Sequence, residues 1–251
     1  IVPDGNYFIN PKSNSNNLTY QKTGGFAQIT KDLFVKKLSL GAALRIDKAD
    51  YFEAKFTPQF TVVYSPKETL NFRTSYQNGY RFPSIFEGFS NVNSGGVKRV
   101  GGLRIMSDGI FENSYTKASI DKFQAQVNND VNTLGITQVA AIEKNKNTIQ
   151  KNPYTYLEPE FVKSLEVGFR GMALNKNLFI DADFYYNSYK NFIAQVEASS
   201  PNTNDPNLIP TALYSKSTQN RYRLWTNSKS KIYNYGGSLG FKYKLNQTFT
   251  A

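Results

Sequence analysis

Histidine and cysteine are both absent from the 251 residues, tryptophan occurs once and methionine twice. Without imidazole or thiolate there is no Ser-His-Asp or Cys-His nucleophile. Zinc, iron-sulfur or haem ligation through those side chains goes too, and so does a disulfide framework. Carboxylates, Lys, Tyr and Ser remain, and these can support carboxylate-pair hydrolysis or an oxygen-ligand metal site. No run approaches the roughly 18 apolar residues that a transmembrane helix requires. An initiator methionine and a secretory n- and h-region are also missing: the chain opens on Ile1, and residues 248–251 read as a strand just beginning. The expectation is a segment of a longer protein, with any targeting sequence outside it.

What is present favours β structure. The chain holds 27 Asn, 17 Gly and 10 Pro, which favour turns, and 17 Tyr with 19 Phe, which prefer strands. Period-two alternation recurs along it. Leu38, Leu40, Ala42, Leu44 and Ile46 alternate with polar or small neighbours, as do Phe56, Phe60, Val62 and Tyr64, then Leu70, Phe72 and Tyr76, then Leu165, Val167 and Phe169. The two longest series are Leu178, Ile180, Ala182, Phe184 and Tyr186, resuming at Phe192, Ala194 and Val196, and Tyr233, Tyr235, Leu239, Phe241, Tyr243 and Leu245.

Strands of about ten residues exceed the usual length near 5–6 and suit a spanning barrel. Short connections at 31–37, 65–68, 173–177 and 246–247 alternate with a modest link at 48–53 and long ones at 83–160 and 198–230. An up-and-down meander places the short turns on one rim and the long loops on the other, with apolar residues outward and polar residues inward, as in outer-membrane barrels. Within the first long loop, Ile120, Phe123, Val127 and Val131 recur at three and four, and Val139, Ala140 and Ile142 hint at a second helical turn. The expectation is one or two short helices on a loop whose length favours a functional role over a mere plug or cover of the barrel mouth.

Two phrases add to periodicity: SYQNGYRFPSIFEGF at 75–89, and NPYTYLEPEFVKSLEVGFR at 152–170, leading into the aromatic strand at 178–197. Their order resembles the barrel of a TonB-dependent outer-membrane receptor. The family phrases fall here on Gly79, Tyr80, Arg81, Pro83 and Ser84, on Asn152, Pro153, Leu157, Pro159 and Glu160, and on Ser164, Glu166 and Gly168. The Asn- and Lys-rich composition is similar to receptors of Bacteroidetes-type bacteria. The resemblance implies an all-β fold: a partial antiparallel up-and-down transmembrane β-barrel with about eight of an expected twenty-two strands. Residues 1–251 then form an incomplete segment of one barrel domain, with 83–160 and 198–230 as extracellular loops. The plug domain and energy-coupling box lie outside it. The implied function is TonB-coupled uptake, in the bacterial outer membrane, of a scarce solute such as an iron chelate, cobalamin, glycan or peptide. The implied partners are membrane lipid, that solute and a TonB-type energy-transducing protein. No cofactor, metal or catalytic residue is expected.

Most of the marked residues read as structural. Pro83 ends a strand ladder because proline cannot donate to it, and Pro153 and Pro159 fix the chain as it re-enters the barrel beside Glu160, an anchor for loop backbone. Asp181 and Asp183 share a strand face; they could be read as paired acids, but glycosidase pairs sit about 5–9.5 Å apart across a bond, so barrel-interior polarity is preferred. Arg221, Tyr222, Arg223 and Trp225 are the ligand candidates, since two guanidiniums and two aromatic rings can stack on a sugar or aromatic and hold an anion; Trp225 fits an aromatic belt equally well. The pairs Gly95-Gly96 and Gly101-Gly102 lack the Lys-Ser/Thr of a phosphate loop and read as flexible turns.

The net charge of +11 is spread out: residues 84–160 hold eight basic and eight acidic side chains, so the excess lies on the strands and the second loop. A nucleic-acid module would show a basic face, and none is evident. The competing class is a soluble or secreted β-rich carbohydrate-binding or adhesin module, which would bury the 233–245 face against a second sheet.

Overall fold

A computed structural model describes residues 19–244. In chain order the elements are β1 (Lys22–Leu33), β2 (Leu38–Ala49), β3 (Lys55–Lys67), β4 (Leu70–Arg81), α1 (Ile85–Phe89), β5 (Asn91–Ser94), β6 (Val97–Val100), α2 (Arg104–Ser107), α3 (Ile110–Asn113), β7 (Tyr115–Thr116), α4 (Lys117–Leu134), α5 (Gln138–Asn145), β8 (Glu160–Ala173), β9 (Leu178–Lys190), β10 (Ile193–Pro201), α6 (Ile209–Tyr214), β11 (Gln219–Asn227) and β12 (Ile232–Tyr243). Leu245, the turn at 246–247 and the strand start at 248–251 lie outside the described residues. Two compact units result. One comprises Tyr20–Phe82, Pro159–Phe192 and the chain from Lys229; the other comprises Pro83–Glu158 and Ile193–Ser228.

The first unit is an open antiparallel sheet in the order β1-β2-β3-β4-β8-β9-β12. Its register decides what the alternation does. Leu44 lies opposite Pro58 and Ala42 opposite Phe60; Phe60 lies opposite Tyr76, Tyr76 opposite Leu165, Leu165 opposite Tyr186 and Tyr186 opposite Tyr235. Because side chains alternate with period two, a register that pairs these positions with one another gathers them on one face. Phe60, Tyr76, Leu165, Tyr186, Leu239 and Phe241 are all exposed there. The other face carries Arg45, Asp47, Gln59, Arg73, Ser75, Gln77, Glu166, Asp181, Asp183 and Lys242.

Two short turns share one conformation. Phe34, Val35 and Lys36 have φ of 51°, 53° and 64°, and Leu174, Asn175 and Lys176 have φ of 50°, 57° and 69°. Each turn closes with a backbone bond, Lys37 N to Phe34 O at 3.1 Å and Asn177 N to Leu174 O at 3.0 Å. Ordinary residues seldom take this left-handed conformation, but turns built from it match the right-handed twist of the strands they join. The long connections, between β4 and β8 and between β9 and β12, leave from the rim opposite these turns, as the antiparallel order requires.

The second unit contains more regular structure than the sequence predicts. A five-stranded sheet, β5-β6-β11-β10-β7, runs through it, with β6 parallel to β11. Residues 198–230, read from sequence as a loop, carry most of the β10–β11 hairpin, paired from Ile193↔Asn227 to Pro201↔Gln219. Alternation in β11 is masked because its non-core side is occupied by Arg221, Arg223 and Trp225 rather than by small polar residues. Val100, Phe111, Ala198 and Leu224 form the core on the other side.

In place of short helical turns, α4 runs for 18 residues. Thr116 caps its N-terminus by accepting from Ser119 N, and Gly135 ends it at φ 64°. The apolar stripe anticipated at three-four spacing is buried: Phe123 and Val127 pack on Ala141 and Ile142 of α5, and Ile120 packs on Tyr115 and Leu213. The Asn-rich outer side, which lowers helix propensity, hides the full length of this helix from the sequence.

Candidate ligand-binding face of the loop unit

The family-phrase residues fix strand ends in the sheet unit and loop backbone in the other unit. Arg81 lies opposite Glu160 where β4 ends and β8 begins, and its Nε meets Glu160 Oε2 at 2.5 Å. The Tyr80 and Phe161 rings pack beside them at a tilt of 40°, with centroids 4.8 Å apart, and Gly79 faces Val162. Past Pro83, Ser84 forms a reciprocal cap with Glu87 that starts α1. Asn152 donates from its backbone N to Ser114 O at 3.0 Å and from Nδ2 to Ser114 Oγ at 3.0 Å, while its Oδ1 accepts from Tyr154 N at 3.1 Å; Pro153 thus sits between two anchored residues. Leu157 N donates to Gly102 O at 2.8 Å. Ahead of the buried Pro159, Glu158 and Asn227 bond reciprocally, N to Oδ1 at 2.7 Å and Nδ2 to O at 2.9 Å.

Gly168, on the polar face of the large sheet, has a different task. It stands between Arg73 of β4 and Asp183 of β9 in one cross-strand row. Because it has no side chain, the Arg73 guanidinium crosses β8 and pairs with Asp183; a Cβ at Gly168 would lie 2.4 Å from Arg73 Nε. Arg73 also reaches Asp181 at 3.4 Å, and Arg170 pairs with Asp181 at 2.7 Å. The two carboxylates are therefore tied to guanidiniums as parts of an ion-pair network. Glu166 lies opposite Ser75 on the same face and is exposed.

The ligand candidates divide by strand parity. On β11, Arg221, Arg223 and Trp225 share one face, and Tyr222 takes the other, where it packs on the core with Leu224. Across the first face, β6 contributes Val97 and Arg99, and β10 contributes Gln195, Glu197 and Ser199. Glu197 Oε1 accepts from both Nη2 of Arg223 at 2.6 Å and Nε at 3.2 Å. Arg221 Nη2 donates to Gly95 O at 3.3 Å. The Phe86 ring lies edge-on to Trp225 at 6.0 Å, with the Arg99 guanidinium 5.9 Å from its centre. At the far end of the sheet a cleft of about 190 Å³ is lined by Lys117, Asp121, Glu197, Lys216, Arg221 and Tyr222. Lys117 pairs there with Asp121, and Lys216 has no ion pair among the described residues.

Sequence reasoning missed Phe86, Arg99, Gln195 and Glu197, because three separate elements bring them to β11: α1 carries Phe86, the parallel pairing of β6 carries Arg99, and the antiparallel pairing of β10 carries Gln195 and Glu197. It also misread one glycine pair. Gly95 and Gly96 form the β5–β6 turn, with φ of 59° and 76°, but Gly101 and Gly102 are packed rather than flexible. A Cβ at Gly102 would lie 2.0 Å from Trp225 O and 2.6 Å from Leu157 Cγ, so this glycine is what lets the Trp225 strand and the 152–160 phrase approach.

Elsewhere in the unit, hydrogen bonds from Asn145 and Lys144 hold the Asp130 carboxyl below its ordinary range, joining α4 to α5. Burial, together with a hydrogen bond to Glu112, pushes the Tyr156 hydroxyl up. Among the described residues, no group of three or more acidic side chains could hold a metal ion.

Comparison with known proteins agrees with the sheet. No curated protein matches by sequence. The ferric enterobactin receptor PfeA of Pseudomonas aeruginosa, in a mutant form, is similar with a TM-score of 0.56 and 14% identity, over 100% of this chain and 27% of its own. The siderophore receptor PirA of the same organism aligns with a TM-score of 0.53 and 13% identity, over 92% and 30%. The hemophore receptor HasR of Serratia marcescens, with its hemophore HasA and heme, aligns with a TM-score of 0.51 and 14% identity, over 90% and 32%. The chain thus spans about a third or less of these receptors. The family model described as TonB dependent receptor-like, beta-barrel matches residues 2–251. The chain therefore belongs to the TonB-dependent receptor β-barrel family, an outer-membrane family of transporters rather than enzymes.

Proposed function

We propose that this chain forms part of the wall and outer loops of a receptor that takes up a scarce extracellular solute by TonB-coupled transport. In this reading the seven-stranded sheet belongs to an up-and-down transmembrane barrel of about twenty-two strands, its apolar face meets lipid, and its Arg73, Asp181 and Asp183 side faces the interior. Residues 83–160 and 198–230 are the extracellular loops. A plug domain and a TonB-type energy-transducing protein supply the gate and its drive. At 13–14% identity the likeness to siderophore and hemophore receptors carries the fold, and the solute class rests on the chain's own residues.

The observation that carries the reading is the continuous apolar face. Seven strands about 4.8 Å apart, each bearing about 30 Å of apolar length, make a patch of roughly 1,000 Å². The largest patch on an ordinary soluble monomer is about 300–600 Å². On β12, Tyr233 to Tyr243 rises about 33 Å along the strand, which at the usual tilt matches the apolar band of about 25 Å around such barrels.

The test uses neighbouring residues of β12 that point to opposite faces. An arginine on the lipid side near the midplane costs about 2–4 kcal/mol. In the complete receptor, Leu239→Arg should sharply lower the heat-modifiable folded form in outer-membrane fractions, and Ser238→Arg should leave it near wild type. Recovery of the receptor in the soluble fraction, or equal tolerance of both changes, overturns the barrel reading and favours the soluble β-rich module.

A further inference from the structure

The loop unit holds three buried nitrogen donors that meet no acceptor: Arg99 Nε, Gln195 Nε2 and Trp225 Nε1. Strand register gathers them. Trp225 lies opposite Gln195 of β10, and one row along Arg223 lies between Glu197 of β10 and Arg99 of β6. All are on one face of the five-stranded sheet, opposite the core of Val100, Ala198 and Leu224. The three nitrogens themselves are covered, but the rest of each side chain is only partly buried, so an acceptor from outside meets them when a neighbouring side chain moves aside.

Folded proteins rarely leave a buried N–H without an acceptor, because the group loses its hydration and gains nothing in return. Three such groups at adjoining register positions mark a place where acceptors arrive from outside the chain. The face also fixes what kind of acceptor it prefers. Arg99, Arg221 and Arg223 stand against one carboxylate on the strands, Glu197, whose Oε1 is already committed to Arg223 through two hydrogen bonds, and the Asp121 that lines the cleft beside Arg221 is paired with Lys117. Water would accept from these donors, but each water brings two hydrogens that need acceptors in turn. An oxyanion brings none, and its bonds to charged donors are the stronger kind.

We infer that Arg99, Gln195 and Trp225 form a binding site for a carboxylate- or phosphate-type oxyanion carried by the extracellular solute, with Arg223 held in place by Glu197 and Phe86 closing the site beside the indole. That the bound solute is then transported rests on the receptor reading above.

The test is calorimetric titration of the complete receptor, purified in detergent, with citrate, inorganic phosphate and neutral glucose. Saturable binding of citrate alone identifies a carboxylate site and of phosphate alone a phosphate site; glucose should give no heat of binding. Trp225→Phe and Gln195→Leu each remove one donor while keeping the bulk of the side chain, and each should weaken binding about tenfold. Lys122→Gln, an exposed cation on α4, should leave it unchanged. Heat-modifiability of each variant shows that it is folded. Absence of binding to both anions, or unchanged affinity in Trp225→Phe and Gln195→Leu, overturns the site and leaves the donors to water. A receptor that binds the anion in detergent but neither inserts nor transports keeps the site and refutes the transport reading; one that inserts and transports but binds no oxyanion does the reverse.

Discussion

At Gly168 the lack of a side chain lets Arg73 cross a whole strand to reach Asp183. The pair is partly open to solvent, with side-chain exposures of 34% and 42%, so the ion pair contributes at most about 1 kcal/mol after screening. Steric overlap is the larger effect, because a Cβ would also lie 2.6 Å from Asp183 Oδ1. Gly168→Val should therefore destabilise the folded receptor by about 2 kcal/mol in all, read as a lower denaturant midpoint in detergent. Adding Arg73→Ala removes the overlap with Arg73 and leaves only that with Asp183, so the double variant should be more stable than Gly168→Val alone; a double variant less stable than the single one would show that the overlap with Arg73 is not the cause. The phrase Ser164-x-Glu166-x-Gly168 was legible as a pattern, but the reason for its glycine was not. That reason lies in two other strands.

At the level of elements, α4 shows how far a pattern can be read. The three-four recurrence of Ile120, Phe123, Val127 and Val131 marks a helix correctly, while the flanking asparagines conceal its 18-residue length. Phe123 is fully buried against α5 and lies edge-on to Tyr214 of α6 at 6.5 Å, so it joins three helices. Phe123→Ala should cost this subassembly about 3–5 kcal/mol. Limited proteolysis should then cut between α4 and α5 while the sheet strands keep their heat-modifiable form. Cleavage no faster than in wild type would mean that the helices are held by something other than this cluster. The strands of the large sheet were more legible, because alternation is a local property; among them β1 is the exception, with Gly24, Gly25 and its mixed residues breaking the series.

On the scale of the whole molecule, the long connections build one structure from two separate stretches of chain. β6 flanks β11 and β7 flanks β10, and Val100 and Phe111 complete the core that Ala198 and Leu224 begin. Deleting residues 92–150 from the complete receptor would remove both flanking strands, both core residues and Arg99 together. The expected result is a receptor that still assembles as a heat-modifiable barrel in the outer membrane but takes up no solute. Retained uptake would make these residues a cover rather than a capture device.

The strands of the large sheet other than β1, their two-faced character, the short turns and the phrases that mark the family can all be read from the chain directly. All of these rest on local periodicity or on residues close together in the chain. Only the folded chain sets the register that merges the separate alternations into one apolar face, the path of Arg73 over Gly168, and the parallel pairing that brings Arg99 beside Arg223 and completes a face with Trp225 and Gln195. The physical reason is the same in each case. Pairing between distant strands is chosen by the surface it buries and the charges it joins, and neither quantity exists until the strands meet.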